Sequence, residues 1–479
     1  MTKQQGKGDL IGAEFPEALM FSLSRLSRFT LTVLLPACLL VLPATADSHV
    51  RIVRLSYIEG GVQFARAGAD YQKAILNQPI AEGMKLKTSD DGKAEVEFED
   101  GSTLHLVPGS ALEFPALSLQ DSGAKTSEIA VTRGTAYVNF VGNKNDEFSV
   151  RFGQQKVRLG GAAHLRIDLA EDTSAVALTK GTAEIQTPGG AVELKKNQVL
   201  TFDSANDQPK LAKGVPEEVW DSWDDQQNEY HTRYAMKSYN NYSPYEYGTT
   251  DLAYYGSFTN VPGYGMMWQP FFAGVNWDPF MDGAWAFDPA FGYLWVSSYP
   301  WGWTPYHYGS WAFIPQHGWM WRPGGTWSPS YRPAVLNAPS GFMVPRAPTT
   351  GRAPVFVSRG TASTFSGSKL VIRNNSAGLG VPRGGDFGNM SKLSHKVETH
   401  GVVTRSAPPV MAPEQRMGNP GNARAGTANA GRPGMPNAGR PSAASSGRAP
   451  SAPRSSAPSA PAAPHMSPGA GVPAGRPRR

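Results

Sequence analysis

The segment Lys93–Leu106 reads K-A-E-V-E-F-E-D-G-S-T-L-H-L. Its first half alternates apolar side chains with lysine and glutamates, which is typical of a strand with one buried and one exposed face. The Asp-Gly-Ser that follows predicts a turn, and two leucines then resume the alternation. A three-residue turn that pairs Phe98 with Leu104 and Val96 with Leu106 would keep the apolar face together. A two-residue turn would place a glutamate opposite Leu104. The segment therefore predicts a β-hairpin with the first register.

Similar short strands extend away from this hairpin, and glycine, aspartate and asparagine separate them. The predicted strands are Ala130–Phe140, Glu147–Phe152, Lys156–Leu169, Ser174–Leu178 and Thr182–Gln186. Residues 50–205 are therefore predicted to form an all-β domain.

Several short motifs follow one another through this domain. They are Glu59-Gly60-Gly61-Val62, Ile80-Ala81-Glu82-Gly83, Leu86-Lys87-Thr88, Ala94–Phe98, Asp100-Gly101-Ser102, Val131–Ala136 and Val176–Glu184 with its Lys180-Gly181. In this order they resemble the FecR domain of bacterial envelope proteins, which implies a β-solenoid or β-sandwich. The chain has Gly161-Ala162 where the family often has Gly-Thr. Signalling members also carry a cytoplasmic sigma-factor-binding region and a membrane span before the domain, and only 28 residues precede the apolar run Phe29–Leu42 here. The resemblance thus implies a FecR-type component without its own anti-sigma region.

A second pattern follows between residues 251 and 330. The motif G-x-[FW]-x3-P-x2-G-x2-W occurs three times, beginning at Gly256, Gly283 and Gly309, and a W-x-P element follows each copy. Ten of the twelve tryptophans lie between residues 268 and 327. This period predicts a repeat of three β-hairpins that bury their rings against one another. The residues assigned to the structural repeat are Gly256, Trp268, Gly283, Trp285, Trp295, Gly309, Trp311 and Trp321.

The aromatic rings allow two interpretations. The first is that most of them are core. The second is that some line an open groove that binds carbohydrate, for which the candidates are Tyr299, Trp301, Trp303, Tyr306, His307 and Tyr308. The motifs Y-G-x-W at 308–311, P-W-G-W at 300–303 and G-W-x-W at 318–321 resemble a Trp/Tyr-rich domain of unknown function that often follows FecR domains in exported proteins. That resemblance implies no activity.

Catalytic chemistry has few candidates in this sequence. Asp278 and Asp282 could be the paired carboxylates of a glycan-active enzyme, but aspartate before proline or glycine is also typical of turns. His307 and His317 are expected to be hydrogen-bonded inside the packed repeat. No His-x-x-x-His or Glu-x-x-His spacing accompanies them, so we expect no metal and no cofactor. The chain is predicted not to be an enzyme.

The N-terminus predicts export. Arg25 and Arg28 precede the apolar run Phe29–Leu42, and Ala44-Thr45-Ala46 offers a cleavage site, so residues 1–46 are interpreted as a signal peptide. The run is too short for a confident membrane span. The one cysteine, Cys38, lies within this segment in a context that does not favour lipidation.

Three further segments complete the prediction. Residues 216–239 have apolar and aromatic side chains at helical spacing and predict a connecting helix, with Pro216 in its first turn. Residues 340–404 are predicted to be loop-rich and partly ordered. Residues 405–479 consist mainly of Ala, Pro, Ser, Gly and Arg and are predicted to be a disordered basic tail. From Ser328 onward, 19 basic residues stand against 3 acidic ones, so the rest of the chain is acidic despite the overall charge of +6.

Together these features predict a mostly β, exported and noncatalytic protein that acts as a binding or scaffolding module in the periplasm or at the cell surface. The expected partners are envelope proteins or anionic polymers and glycans, with lipid headgroups for the tail and no nucleic acid. Three alternatives remain: a carbohydrate- or peptidoglycan-binding protein that uses exposed rings, a FecR-type signalling component, and a glycan-active enzyme.

Overall fold

The computed structural model describes residues 51–406, apart from residues 144, 204, 205, 290, 331 and 386. The predicted signal peptide and nearly all of the predicted tail lie outside the described residues. The prediction of a mostly β chain with a FecR-like domain, a hairpin repeat and a short connecting helix is confirmed. Among the described residues, no helix is long and apolar enough to cross a membrane.

The first part of the structure is built from strands. In chain order they are β1 Val53–Glu59, β2 Val62–Ala65, β3 Gln72–Lys73, β4 Pro79–Ile80, β5 Lys85–Thr88, β6 Lys93–Glu97, β7 Thr103–Leu106, β8 Ala111–Leu119, β9 Lys125–Phe140, β10 Glu147–Phe152, β11 Gln155–Leu159, β12 Ala163–Leu169, β13 Thr173–Lys180, β14 Thr182–Thr187, β15 Gly190–Lys195, β16 Gln198–Asp203 and β17 Asn206–Lys213. The predicted strand 156–169 is divided in two at Gly160-Gly161-Ala162.

These strands form two connected sheets around one apolar core of Val, Leu, Ile and Phe side chains. The long strand β9 joins the sheets, because its first half pairs with β8 and β10 and its second half pairs with β7 and β12. Gly134 lies between the halves at a φ of +76°, and a Cβ there would meet the Ser110 backbone at 2.8 Å. A glycine is therefore required where the chain crosses between sheets.

The hairpin of β6 and β7 has a different register from the predicted one. Val96 lies opposite Leu104, and the Phe98 N–H donates to the Ser102 carbonyl at 2.8 Å across a three-residue turn. The predicted pairing of Phe98 with Leu104 was therefore wrong by two residues. A two-residue shift moves no side chain to the other face, so the apolar face is kept. The expected exposed face is also absent, because every residue of β6 is buried.

The helices follow the first domain. They are α1 Asp221–Tyr234, α2 Thr249–Tyr255, α3 Thr304–His307 and α4 Met390–His400, with a 3-10 turn at Tyr239–Asn241. Helix α1 begins five residues after Pro216, so the prediction that Pro216 lies in its first turn was wrong. Its buried face holds Trp223, Gln227 and Tyr230, as the spacing predicts, and also the charged Asp224.

The three sequence repeats are three hairpins. Their strands are β18 Gly256–Val261 with β19 Gly265–Pro270, β20 Asp282–Asp288 with β21 Gly292–Ser297, and β22 Ser310–Ile314 with β23 Gly318–Arg322. In each hairpin the [FW] position of the motif lies directly opposite its final tryptophan, and the pairs are Phe258 with Trp268, Trp285 with Trp295, and Trp311 with Trp321. The repeat therefore encodes one cross-strand ring pair per hairpin.

The glycines and prolines of the motif have separate structural causes. The glycine at the end of each turn, such as Gly265, has a φ near +80° that other residues rarely adopt. The first glycine of each motif lies beneath the final indole, since a Cβ on Gly283 would lie 2.4 Å from a ring carbon of Trp295. Each proline precedes the left-handed turn residues and supplies the fixed φ that such a turn uses.

The hairpins do not stack as one unit. Trp268 of the first pairs with Trp321 of the third, which joins these two hairpins into one sheet, whereas the second hairpin forms a sheet with a later strand. The later strands are β24 Ala334–Leu336, β25 Val355–Ser358, β26 Thr364–Ser366, β27 Lys369–Arg373 and β28 Val402–Ser406. Both apolar runs of the predicted loop-rich segment, 355–357 and 370–372, thus form strands.

Candidate binding site at the domain junction

The predicted aromatic groove is interior. Tyr299, Trp301 and Trp303 have no exposed surface, Tyr306 and His307 are buried, and Tyr308 is half-buried. This corrects the prediction that these residues line an open groove. The indole N–H of Trp301 donates to the Ala377 carbonyl at 2.7 Å, whereas the buried indole N–H of Trp303 has no hydrogen-bond partner. The rings also stack on one another, and those of Tyr299 and Trp301 lie 4.9 Å apart and nearly parallel. The rings are therefore core.

The two histidines of the repeat differ. Nδ1 of His307 lies 2.9 Å from the Trp303 carbonyl, and burial lowers the pKa of His307 to about 4, so the ring is neutral. His307 is thus hydrogen-bonded inside the repeat, as expected. His317 is exposed in the turn of the third hairpin, so the same expectation for His317 was wrong.

The two carboxylates considered as a catalytic pair, those of Asp278 and Asp282, both contact neighbouring residues of the protein. Asp278 accepts from the Phe280 N–H at 2.8 Å and lies 3.5 Å from Arg359. Asp282 is buried and accepts from the hydroxyls of Ser358 at 2.7 Å and Tyr299 at 3.3 Å. Both carboxylates therefore hold local structure together.

The candidate site is a cluster of charged side chains on the outer face of β1, β6 and β7. Helices α1 and α2 and the segment 376–383 cover this face, so the charged side chains are buried. Arg54 has no exposed surface. Its guanidinium lies 3.0 Å from Glu97 on the neighbouring strand and 2.6 Å from Asp251 on α2. Glu97 also accepts the N–H of Gly248 at 3.0 Å. These contacts fasten the first domain to the start of the second.

Glu95 is the centre of this charged cluster. Arg383 lies 2.5 Å from one carboxylate oxygen of Glu95, His231 of α1 lies 3.1 Å from the same oxygen, and Ser56 donates to it at 2.6 Å. Burial alone would raise the pKa of Glu95, but the charges of Arg383 and His231 hold it well below its usual range. Arg383 also donates to the Ser56 carbonyl at 2.8 Å. Residues far apart in sequence thus meet on one carboxylate.

A histidine extends the cluster towards α1. His105 lies 3.1 Å from Glu95 and 2.6 Å from Asp224, and all three side chains are fully buried. Burial lowers the pKa of His105, but the hydrogen bonds to Asp224 and Glu95 outweigh it and raise that pKa to about 9. Asp224 also contacts His164 at 2.8 Å, and its pKa falls to about 2 despite its burial. His105 is therefore charged at neutral pH.

A cavity of about 530 Å³ opens beside the charged cluster. Three parts of the chain form its walls: the end of β1 from Ser56 to Glu59, helix α1 through Trp223, Gln226 and Gln227, and the segment 379–383. The volume lies within the range of about 300–1,000 Å³ that is usual for ligand pockets. The indole N–H of Trp223 and the amide oxygen of Gln227 have no hydrogen-bond partner.

The end of β1 is an open strand edge at this cavity. On one side, Tyr57, Ile58 and Glu59 pair with β6. On the other side, β4 reaches only Val53 and Arg54, so within the described residues no strand pairs with the outer edge of 57–59. An unpaired edge can accept a strand from another chain.

Two parts of the chain match known protein families. Residues 84–184 match the family described as FecR protein, and residues 249–349 match a family of unknown function, DUF6600. This chain carries a FecR domain followed by a DUF6600 domain. Both resemblances seen in the sequence are confirmed. In these terms, the charged cluster and the cavity lie between the FecR domain, the helical connector and the DUF6600 domain with its C-terminal extension.

Two solved structures are similar to a part of this chain. Both are crystal structures of a "putative anti-sigma factor" from Parabacteroides distasonis ATCC 8503, with 20% and 19% identity and TM-scores of 0.26 and 0.25. The alignments cover 29% and 28% of this chain and 63% of each of the solved chains. No curated protein matches the sequence.

The charged cluster was missed in the sequence. Glu95, Glu97 and His105 were interpreted as an exposed face because strand alternation alone cannot tell solvent from a docked helix. Two features of the sequence point to the cluster: Glu95 and Glu97 alternate on β6 across from His105 on β7, and an arginine lies in the otherwise apolar L-G-V-P-R-G at 379–384. No group of three or more His, Cys, Asp or Glu side chains in the described residues is placed to hold a metal ion.

Proposed function

We propose that this protein is a noncatalytic binding protein of the cell envelope whose FecR and DUF6600 domains together hold an extended segment of a partner protein. The observation that carries the proposal is the open edge of β1 at Tyr57–Glu59, which faces the cavity between the domains. Strand addition gives affinity through main-chain hydrogen bonds, and adjacent pockets select alternate side chains.

The cavity wall indicates which segment would fit. The apolar surface of the cavity comes from Leu76, Phe365 and Leu379. Lys93 and Glu59 also line it and form an ion pair at 2.9 Å, so together they add no net charge. An extended peptide with an apolar side chain directed into the cavity meets these requirements. The cluster around Glu95 supports the same proposal, since it fixes the walls before a ligand arrives and so lowers the ordering cost of binding.

A FecR-type signalling role is the second candidate, and the match of residues 84–184 to the FecR family favours it. The extended segment would then belong to a membrane-bound signalling partner, and this chain would be the part that binds it. An exported location is part of both proposals and rests on the predicted signal peptide. A fusion of residues 1–46 to alkaline phosphatase tests it, because that enzyme becomes active only after export.

Binding is tested by panning a phage-displayed library of 12-residue peptides against the full chain. Gln226 is exposed on α1 at the cavity wall, so Gln226→Trp should obstruct the cavity without disturbing the core. Glu229→Trp is the matched control, because Glu229 is exposed on the same helix but does not line the cavity. We expect enriched peptides to lose binding to Gln226→Trp and to retain it with Glu229→Trp.

Two results would contradict the proposal. One is a library that yields no peptide above background. The other is a set of peptides that bind both variants equally, which would place the binding surface outside the junction.

A further inference from the structure

A second cavity lies in the DUF6600 domain, away from the junction. We call it the second-hairpin hollow. It has a volume of about 360 Å³, and its walls are Trp285 and Trp295 of the second hairpin and the segment that contains Arg332 and Arg346. It is large enough for a small-molecule ligand.

The charged residues that line the hollow are all basic. Arg332 and Arg346 line the hollow, and no acidic residue does. Both arginines are exposed, and neither forms an ion pair with a carboxylate of the described residues. The guanidinium of Arg332 lies over the Trp285 ring at 5.7 Å, which holds the charge at the wall. Two unpaired guanidinium groups at one hollow favour an anion, because their donors match a carboxylate in bidentate geometry.

The second hairpin also differs from its two counterparts. The final tryptophan of the first motif, Trp268, donates its indole N–H to the Leu252 carbonyl at 2.9 Å, and that of the third, Trp321, donates to the Tyr308 carbonyl at 2.8 Å. The equivalent donor of Trp295 has no partner, although Trp295 is only 7% exposed. Indole donors without a partner also occur in the core, at Trp303 and Trp311, so such a donor does not mark a site by itself. Two of the residues that line the hollow, Trp285 and Trp295, have one, and because an unpaired buried donor is costly, an acceptor bound there that reached either donor would be stabilised.

We infer that the second-hairpin hollow binds an acidic sugar residue, with its carboxylate on Arg332 and Arg346 and its ring against the aromatic and proline wall. An inorganic anion alone would leave most of the 360 Å³ unfilled. The C–H face of a sugar ring suits the apolar surface of Trp285, Trp295 and Pro333, which a bare phosphate would not use. This inference is independent of the peptide proposed for the junction.

The test is saturation-transfer NMR on the full chain, with D-glucuronate as the probe and D-glucose as the neutral comparison. We expect transfer to the glucuronate ring protons and little to glucose. Arg332→Gln and Arg346→Gln should each weaken glucuronate binding by roughly tenfold through loss of a charged hydrogen bond. Arg352→Gln is the control, because Arg352 is also exposed and contacts a ring, Phe287, but does not line the hollow. It should leave binding unchanged.

Each other outcome would overturn the inference. Equal transfer to glucose would show that the charge plays no part. Unchanged binding in Arg332→Gln and Arg346→Gln would place the glucuronate elsewhere, such as on other basic residues of the chain. Displacement of glucuronate by an equal concentration of inorganic phosphate would show that the site recognises an anion and not a sugar. Near-ultraviolet circular dichroism of each variant confirms that a loss is not unfolding.

Discussion

Replacing Arg383 with methionine should destabilise the protein strongly. The substitution removes the 2.5 Å contact to Glu95 and the 2.8 Å hydrogen bond to the Ser56 carbonyl, while the methionine keeps much of the packing on Tyr230. Glu95 has no exposed surface, so water cannot replace the lost guanidinium. Breaking a buried ion pair from one side costs about 3–5 kcal/mol. We expect about 3 kcal/mol, because His105 and His231 still contact the carboxylate.

A double-mutant cycle separates the ion pair from general packing. Glu95→Gln and Arg383→Met are made singly and together, and the free energy of unfolding is measured by urea titration with tryptophan fluorescence. Each single variant leaves a buried charge without its main partner, whereas the double variant leaves neither. The double variant should therefore lose at least about 1 kcal/mol less than the sum of the single losses.

An exposed ion pair provides the control. Arg233 contacts Glu229 one turn away on α1, and both side chains are more than half exposed. Arg233→Met should change the free energy of unfolding by less than about 0.5 kcal/mol. The reasoning is refuted if Arg383→Met is as mild as this control, or if the losses at Glu95 and Arg383 simply add.

Three further predictions concern stability. The pKa of His105 is about 9 in the folded protein and near its ordinary value of 6.5 in the unfolded protein. Protonation of His105 therefore contributes about 3 kcal/mol to the free energy of unfolding below pH about 6.5, and this contribution is lost as the pH rises through about 9. His105→Gln should flatten this decline of stability in urea titrations between pH about 6 and about 10. Gly283→Ala places a Cβ 2.4 Å from a ring carbon of Trp295 and should cost about 1–3 kcal/mol, whereas Gly160→Ala, with open space around it, should cost under about 0.5 kcal/mol in the same titration. Trp303→Ala should cost about 3–5 kcal/mol as a core truncation, and a variant that melts at the wild-type temperature would contradict the burial of this ring.

Local patterns predicted much of the fold. The alternation in 93–106 predicted a hairpin, and the motif period predicted three more, which the structure contains. Only the structure showed which rings pair across the strands. The register of the first hairpin was wrong because a shift of two residues leaves the apolar face unchanged, so hydrophobicity could not distinguish the alternatives. The start of α1 was wrong because proline is also compatible with the extended approach to a helix.

The candidate sites could not be predicted in the same way. Aromatic residues suit a core and a sugar platform equally, and only the packing showed that Trp301 and Trp303 are core while Trp285 and Trp295 reach a hollow. Both uses require large rings with one polar atom, so residue type does not separate them.

The sequence by itself determined the elements: strands with a period of two, hairpins with a period of 26 or 27 residues, and glycines where a turn or an indole excludes a side chain. These follow from interactions between near neighbours. Only the tertiary structure decided which polar face would be covered. Glu95 and Arg383 are 288 residues apart. The alternation of residues is the same in a strand whose glutamates face water and in a strand whose glutamates meet a distant arginine. The two cannot be told apart locally, because burial of the second face depends on the docking of another part of the chain.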